Sequence, residues 1–293
     1  MESRDRREAE KMIPQQRNEE EMMNLIRKTA LEDDNIRAVL MTGSRSNPDA
    51  PKDKYQDYDI VFQVKDIKPY WDNEEWIEKT FGKPALMQKP ESMQLIPPDG
   101  DGNYVYLMLF PDGNRIDLCL TEQNYADCGE PAIILLDKDG VLPEIQIRKE
   151  YWYVKKPDQK QFSDCCNEFF WCMNNVAKGI ARDELSYAMN QYNVCVRDML
   201  IQMLKWYVGA EYDFSVSAGK AGKYLKKYLP ERLYEKFRKT YTDAEYEHFW
   251  NAVFEMLELF EDAAMYLSEK LNFEYRVEER QAIEAYLNRL RNE

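Results

Sequence analysis

What most constrains this chain is a change of period part-way along it. Up to about residue 150, short apolar runs alternate with polar positions or stop at Gly, Pro, Asn and Asp: 36–41 (IRAVLM), 57–64 (DYDIVFQV), 104–110, 115–120 and 132–136. Alternate residues of an extended strand face opposite sides of a sheet, so such runs read as strands. Pro111-Asp112-Gly113-Asn114 has the composition of a hairpin turn between two of them. From about residue 158 the spacing becomes three and four. Phe162, Cys165, Cys166, Phe169, Met173, Val176 and Ile180 form one helical stripe, and Leu185, Ala188, Met189, Tyr192, Val196, Met199, Met203 and Trp206 a second. Phe249 to Leu267 carries a third, and 279–290 reads as a last helix. The expected fold class is therefore α+β: an N-terminal mixed sheet with helices, then an all-α helical bundle. We expect a tail over 1–18, a first domain over 19–155 and a helical domain over 156–293, joined by the Pro-containing stretch near 153–159. Residues 1–18 are charged and lack apolar periodicity, so they read as a frayed tail or an extra half-helix, whereas 20–31 predict a short amphipathic helix.

Composition removes several classes of function. The 293 residues are 44% hydrophobic and 13% aromatic, enough for real cores. No run approaches 18 apolar residues, and the start MESRDRREAEKM lacks the apolar centre of a signal peptide, so the expectation is a cytoplasmic protein without a membrane partner. The six cysteines, at 119, 128, 165, 166, 172 and 195, show no CxxC or zinc spacing and read as reduced and packed. Fifty-four acids against 40 bases give a net charge of −14, which argues against a nucleic-acid partner. That charge would suit a cationic small molecule, although an acidic surface also simply confers solubility. The one histidine, His248, excludes HExxH sites and leaves a Ser-His-Asp triad only if His248 serves. It lies in the helical pattern EYEHFWNAVF and reads as a helix-surface residue.

The segment GSRSNPDAPKDKYQDYD carries the chemistry. Gly43-Ser44 ends a predicted strand, where glycine lets backbone amides approach a phosphate and Ser44 adds a hydroxyl. Asp57 and Asp59 sit two apart on a strand, so both carboxylates point to one face. Two like charges held together are costly unless a cation lies between them, and hard oxygen ligands suit Mg²⁺ on a triphosphate. Asp117, in Arg115-Ile116-Asp117-Leu118, places a carboxylate in the middle of another apolar strand, and a third position around such metals gives it a reason. Each piece alone is common; a Gly-Ser pair is everywhere, and DxD is more often a turn or solvated edge. Their conjunction is informative: strand, Gly-Ser, a loop of about a dozen residues, strand-borne DxD, then a strand-borne aspartate. The same residues leave Arg45 free to reach phosphate or to pair with Asp49 or Asp53.

At these positions the chain resembles the nucleotidyltransferase superfamily that includes DNA polymerase beta, with its GS…DxD…D signature. The stretches MTGSRSNPDAPKDKYQDYDIVFQV, ESMQLIPPDGDGNYVYLMLFPDGNRIDLCL and NQYNVCVRDMLIQMLKWYVGAEYDFSVSAGKAGKYLKKYLP are similar to the aminoglycoside 6-adenylyltransferases, also called streptomycin adenylyltransferases. The likeness runs from about Glu20 to the C-terminus. It implies an enzyme that uses ATP as co-substrate and Mg²⁺ as cofactor to transfer AMP to a hydroxyl of streptomycin, releasing pyrophosphate. It implies that Gly43 and Ser44 hold the triphosphate and that Asp57 and Asp59 ligate Mg²⁺, with Asp117 either a further ligand or the base. Related adenylyltransferases bring a lysine from the helical domain to the triphosphate, which points to Lys220 or Lys223. The segment 217–223 (SAGKAGK) itself fails the P-loop template, because Ser217 and Tyr224 stand where Gly and Ser or Thr belong.

For the cationic acceptor, the candidates are acids and aromatics of the helical domain: Trp171, Asp183, Glu184, Tyr187, Tyr192 and Asp198. Most aromatics at helical spacing are core, so about two of these six are expected to touch substrate. The loop acids Glu91, Asp99 and Asp101 are equally eligible. Two rival readings stand beside this one: a nucleotidyltransferase with a lincosamide or a protein hydroxyl as acceptor, and a non-catalytic nucleotide-sensing or antitoxin-type partner on the same fold. The intact aspartate trio disfavours the second. Nothing in the sequence specifies an oligomeric state.

Overall fold

A computed structural model describes residues 14–98, 100–124 and 131–293. Residues 1–13 of the expected tail, the candidate Asp99 and Cys128 lie outside the described residues. The chain divides into two compact units at 151/152, against a sequence expectation of 155/156.

In the first unit, Asn18 opens helix α1 (Glu19–Glu32) with a reciprocal cap: its side chain accepts from the Glu21 amide at 3.0 Å, and its own amide donates to Glu21 Oε2 at 2.7 Å. Met22, Ile26 and Ala30 follow at fours and bury against the sheet. Then come β1 (Ile36–Met41), the one-turn α2 (Gly43–Ser46), β2 (Tyr58–Val64), α3 (Glu74–Phe81), β3 (Leu86–Gln88), β4 (Tyr104–Leu109), β5 (Arg115–Thr121) and β6 (Ile133–Asp137). The six strands lie in the order β3-β4-β5-β2-β1-β6. β2 and β5 run parallel, and the other described pairs are antiparallel.

Period two sorts the two faces. Tyr58, Ile60 and Phe62 of β2, Tyr104, Tyr106 and Met108 of β4 and Ile116, Leu118 and Leu120 of β5 pack with α1 and α3 in the larger core. Ala38, Leu40, Val61 and Ala132 form a smaller cluster, with Cys119 packed against it. Asp59 alternates with the large-core residues of β2, as Asp117 does on β5, so both share the face of Val61 and Cys119.

The residues just before α1 are not frayed. Arg17 donates through its amide (3.2 Å), Nε (2.6 Å) and Nη2 (3.4 Å) to the Asp112 carboxylate and through Nη1 to the Phe81 carbonyl (3.0 Å). Asn114 returns a bond to the Arg17 carbonyl at 3.0 Å. The expectation of a loose tail is thus corrected at Arg17 and Asn18: the β4–β5 turn supplies acceptors to which the chain entering α1 is tied.

The second unit is helical. Asp158 caps α4 (Gln159–Ala181), which is followed by α5 (Leu185–Asn190), a π-helical stretch over Gln191–Val196, α6 (Arg197–Glu211), α7 (Leu225–Tyr228), α8 (Glu231–Lys239), α9 (Tyr246–Leu271) and α10 (Val277–Asn292). One core holds them, centred on the stacked rings of Phe169 and Phe260, with centroids 3.8 Å apart. Gly179 lets α4 meet α5, because a Cβ there would stand 2.8 Å from that of Ala188. No helix among the described residues is long and apolar enough to cross a membrane. The cysteines at 165, 166 and 172 are buried and those at 119 and 195 half-buried.

Candidate active site

Four backbone decisions assemble the site in the first unit. β1 ends with the Thr42 amide donating to the Asp59 carbonyl at 2.9 Å. Gly43 then takes a left-handed φ of +64°, turning the chain into α2 directly over Asp59. The Ser44 amide lies near the Asp59 carboxylate and favours its charged form. In the parallel register, Asp59 lies opposite Asp117. Asp57 precedes β2 by one residue, two positions before Asp59.

These carboxylates feel one another. Burial raises the Asp59 pKa above the ordinary carboxylate value, and the charges of Asp117 and Asp57 add to the effect, while Arg115 and the Ser44 amide oppose it. Asp57 is also raised, chiefly by burial and further by Asp117, against the pull of Arg115 and Arg45. Sequence reasoning missed Arg115. Its Nε and Nη2 form a fork on Asp117 at 2.8 and 2.6 Å, and its Nη1 lies 3.6 Å from Asp57. The signal was present: Arg115 and Asp117 are two apart on a strand and so face the same side. Among the described residues, no three His, Cys, Asp or Glu side chains converge closely enough to hold a metal ion; a guanidinium stands between Asp57 and Asp117.

Arg45 pairs with neither Asp49 nor Asp53. It donates to the carbonyls of Asp57 and Gln56, each at 3.0 Å, lies 3.4 Å from Glu19 and stacks 3.9 Å over the Tyr58 ring. With a side chain only 9% exposed, it clamps the loop between α2 and β2. Gln56 Nε2 donates to Ser44 O and Oγ at 3.3 and 3.4 Å. Glu91 and Asp101 are engaged locally, Glu91 by the Val105 amide at 2.7 Å and Asp101 by the Asn103 amide at 2.9 Å.

In the helical unit the remaining candidates scatter. Lys220 and Lys223 are exposed in a tight turn with positive φ at Gly219, Ala221 and Gly222, and Lys223 Nζ lies 5.2 Å from the Tyr224 ring. Trp171 is 68% exposed on α4. Asp183 accepts from the Tyr246 hydroxyl at 2.7 Å, and Glu184, Tyr187 and Asp198 are exposed. Tyr192 requires a correction. It is fully buried, and its hydroxyl donates to the carbonyls of Thr240 at 2.6 Å and Ala252 at 3.0 Å, so it has no surface to offer a ligand. His248 sits on the surface of α9 against Asp243 at 2.9 Å, which raises its pKa.

With this fold and site in view, comparison with known proteins gives the class: the chain is a nucleotidyltransferase. More narrowly, residues 16–290 match the family model described as Streptomycin adenylyltransferase, and the chain belongs to that family. It is 37% identical to the aminoglycoside 6-adenylyltransferase of Bacillus subtilis (strain 168), over 88% of this chain and 93% of the relative. The Campylobacter jejuni enzyme of the same name is 36% identical, over 88% of this chain and 91% of the relative. A crystal structure of an aminoglycoside 6-adenyltransferase from Bacillus subtilis is 33% identical, covers 94% of this chain and 98% of that one, and superposes with a TM-score of 0.46.

Proposed function

We propose that this protein transfers AMP from ATP to a hydroxyl of a streptomycin-type aminoglycoside, releasing pyrophosphate. The observation that supports this most directly is the parallel pairing that sets Asp59 beside Asp117, under a glycine turned left-handed against Asp59. Asp57 and Asp59 offer hard carboxylate oxygens of the kind that suit Mg²⁺, and burial with the charge of Asp117 raises the affinity of both for protons, a state that a cation would relieve. When bound, the metal supplies charge neutralisation on the triphosphate.

The chain's own residues do the rest. Gly43 keeps the turn open, so that backbone and the Ser44 hydroxyl reach the triphosphate. Asp57 and Asp59 hold the cation, and Asp117 is either a third ligand or the base that takes the proton of the acceptor hydroxyl. The acceptor oxygen attacks the α-phosphorus as the bond to the bridging oxygen breaks, and pyrophosphate leaves with the electron pair. Arg45 holds the loop that carries Asp57, Lys220 or Lys223 is the candidate for the phosphates, and about two of Trp171, Asp183, Glu184, Tyr187 and Asp198 are candidates for the acceptor, with Glu91 and Asp101 equally eligible. The net charge of −14 suits a polycationic acceptor.

The test is direct: the purified protein is incubated with ATP, Mg²⁺ and an aminoglycoside panel while pyrophosphate is followed. Release with streptomycin supports the proposal. Release only with a lincosamide or a protein acceptor would leave the chemistry standing and remove the acceptor, whereas no release with any acceptor would remove the transfer activity.

A further inference from the structure

We infer that Arg115 is an internal counter-ion for the aspartate trio, occupying the metal's place until a metal–nucleotide complex displaces it; this rests on the reading of the trio as a metal site. Its fork takes both oxygens of Asp117, at 2.8 and 2.6 Å, and reaches toward Asp57 at 3.6 Å. While that fork is in place, it takes one lone pair of each Asp117 oxygen and sets a positive charge where a cation would sit. Three carboxylates on one sheet face repel one another, and either a guanidinium or a divalent ion neutralises them. The two are therefore alternatives for one space.

The two arginines beside the trio differ in their freedom to move. Arg45 is packed on the Tyr58 ring and bonded to two backbone carbonyls, so it stays. Arg115 opens β5 with a side chain 44% exposed, and its arm can swing outward without disturbing the core. Once released, its planar fork matches phosphate oxygens as well as it matched the carboxylate. Free divalent ion must compete with this fork unaided. A metal–nucleotide complex brings both a replacement for the guanidinium and an acceptor for it. Arg115 is thus a positioning residue that couples metal entry to nucleotide entry.

The experiment measures Mn²⁺ bound to the wild type, R115Q and R115K, by loss of the free-ion EPR signal without nucleotide and, with a non-hydrolysable ATP analogue that itself chelates Mn²⁺, by the excess Mn²⁺ on the protein side in equilibrium dialysis. Without nucleotide, R115Q should bind Mn²⁺ at least ~10-fold more tightly than the wild type, by removal of one positive charge within a few ångströms of the ion. R115K, which keeps the charge but not the fork, should fall between them. R37Q, which removes a remote ion pair with Asp139, should leave the affinity unchanged. In turnover, R115Q should lower kcat with little change in the KM for the acceptor. Wild type that binds Mn²⁺ with the analogue, alongside R115Q no tighter than wild type without it, overturns the counter-ion role alone. Wild type that fails to bind Mn²⁺ even with the analogue overturns the metal reading and this inference together.

Discussion

Gly43 and Asp59 are packed so closely that no side chain fits between them: a Cβ built on Gly43 would stand 2.6 Å from Asp59 Cγ and closer still to Oδ2. The φ of +64° at Gly43 adds a backbone cost for any other residue. Gly43→Ala must therefore push the Asp59 carboxylate away or straighten the turn. We expect a loss of about 1–3 kcal/mol in stability and ~100-fold in turnover. Denaturant unfolding and pyrophosphate release read the two effects separately; near-normal turnover would show that the close approach has no catalytic consequence.

Metal dependence gives a second prediction. EDTA, or Asp59→Asn, should reduce turnover by at least ~100-fold while the circular dichroism spectrum is kept. Retained activity in Asp59→Asn would remove the metal assignment.

Asp117→Asn separates two roles. If Asp117 is the base, turnover falls and calorimetric affinity for MgATP is preserved; if it is mainly a ligand, both fall. Unchanged turnover would take Asp117 out of the site.

The Arg17–Asp112 latch predicts a pH dependence. Burial alone would raise the Asp112 carboxyl, but hydrogen bonds from Arg17 and Asn114 outweigh it and hold the pKa at about 2, against an ordinary 3.8. A folded pKa below the unfolded one contributes stability above pH 3.8, and that stability is lost as the pH falls from there toward 2. With Arg17 partly exposed, the contribution is about 1–2 kcal/mol. Denaturation midpoints between pH 5 and 2.5 should converge for wild type and Asp112→Asn; parallel curves would contradict the latch.

Much of this arrangement is legible in the sequence because one rule, period two, governs it. The run 36–41 coincides with β1, and DYD and RID stand out because a carboxylate inside an apolar alternation needs a partner. What escaped notice lacks such a signal. β3 is three residues long with two of them exposed, so it carries no pattern. Arg45 was open to phosphate or to Asp49 and Asp53, because backbone acceptors such as the carbonyls of Gln56 and Asp57 are invisible in a side-chain alphabet. Tyr192 sat on the core stripe of its helix and also on the acceptor list. Its two carbonyl partners, Thr240 and Ala252, lie far along the chain, where no local spacing points to them.

That correction yields a prediction of its own. Tyr192→Phe should cost about 1 kcal/mol, because it removes a buried hydroxyl's bonds to the Thr240 and Ala252 carbonyls while Arg197 Nη2 still serves Thr240 at 2.8 Å, with no change in the KM for the acceptor. Chemical denaturation and steady-state kinetics check the two halves, and a raised KM with unchanged stability would reverse the assignment.

An aminoglycoside acceptor implies ionic-strength dependence. A polycation drawn to an acidic surface should bind more weakly as salt rises, while the apparent constant for MgATP changes less. A salt-independent KM for streptomycin would argue against charge-driven recognition.

Asp59 and Asp117 are side by side because their strands are neighbours in parallel register, although β3, β4 and α3 intervene in the chain. Of the excursion between them, β3 lies at the edge of the sheet, and the stretch that joins β3 to β4 does not itself set the carboxylates' spacing. Descendants of this gene can therefore lengthen, trim or reshape the stretch between β3 and β4 and present a new rim to a different acceptor, with the reacting centre inherited unchanged.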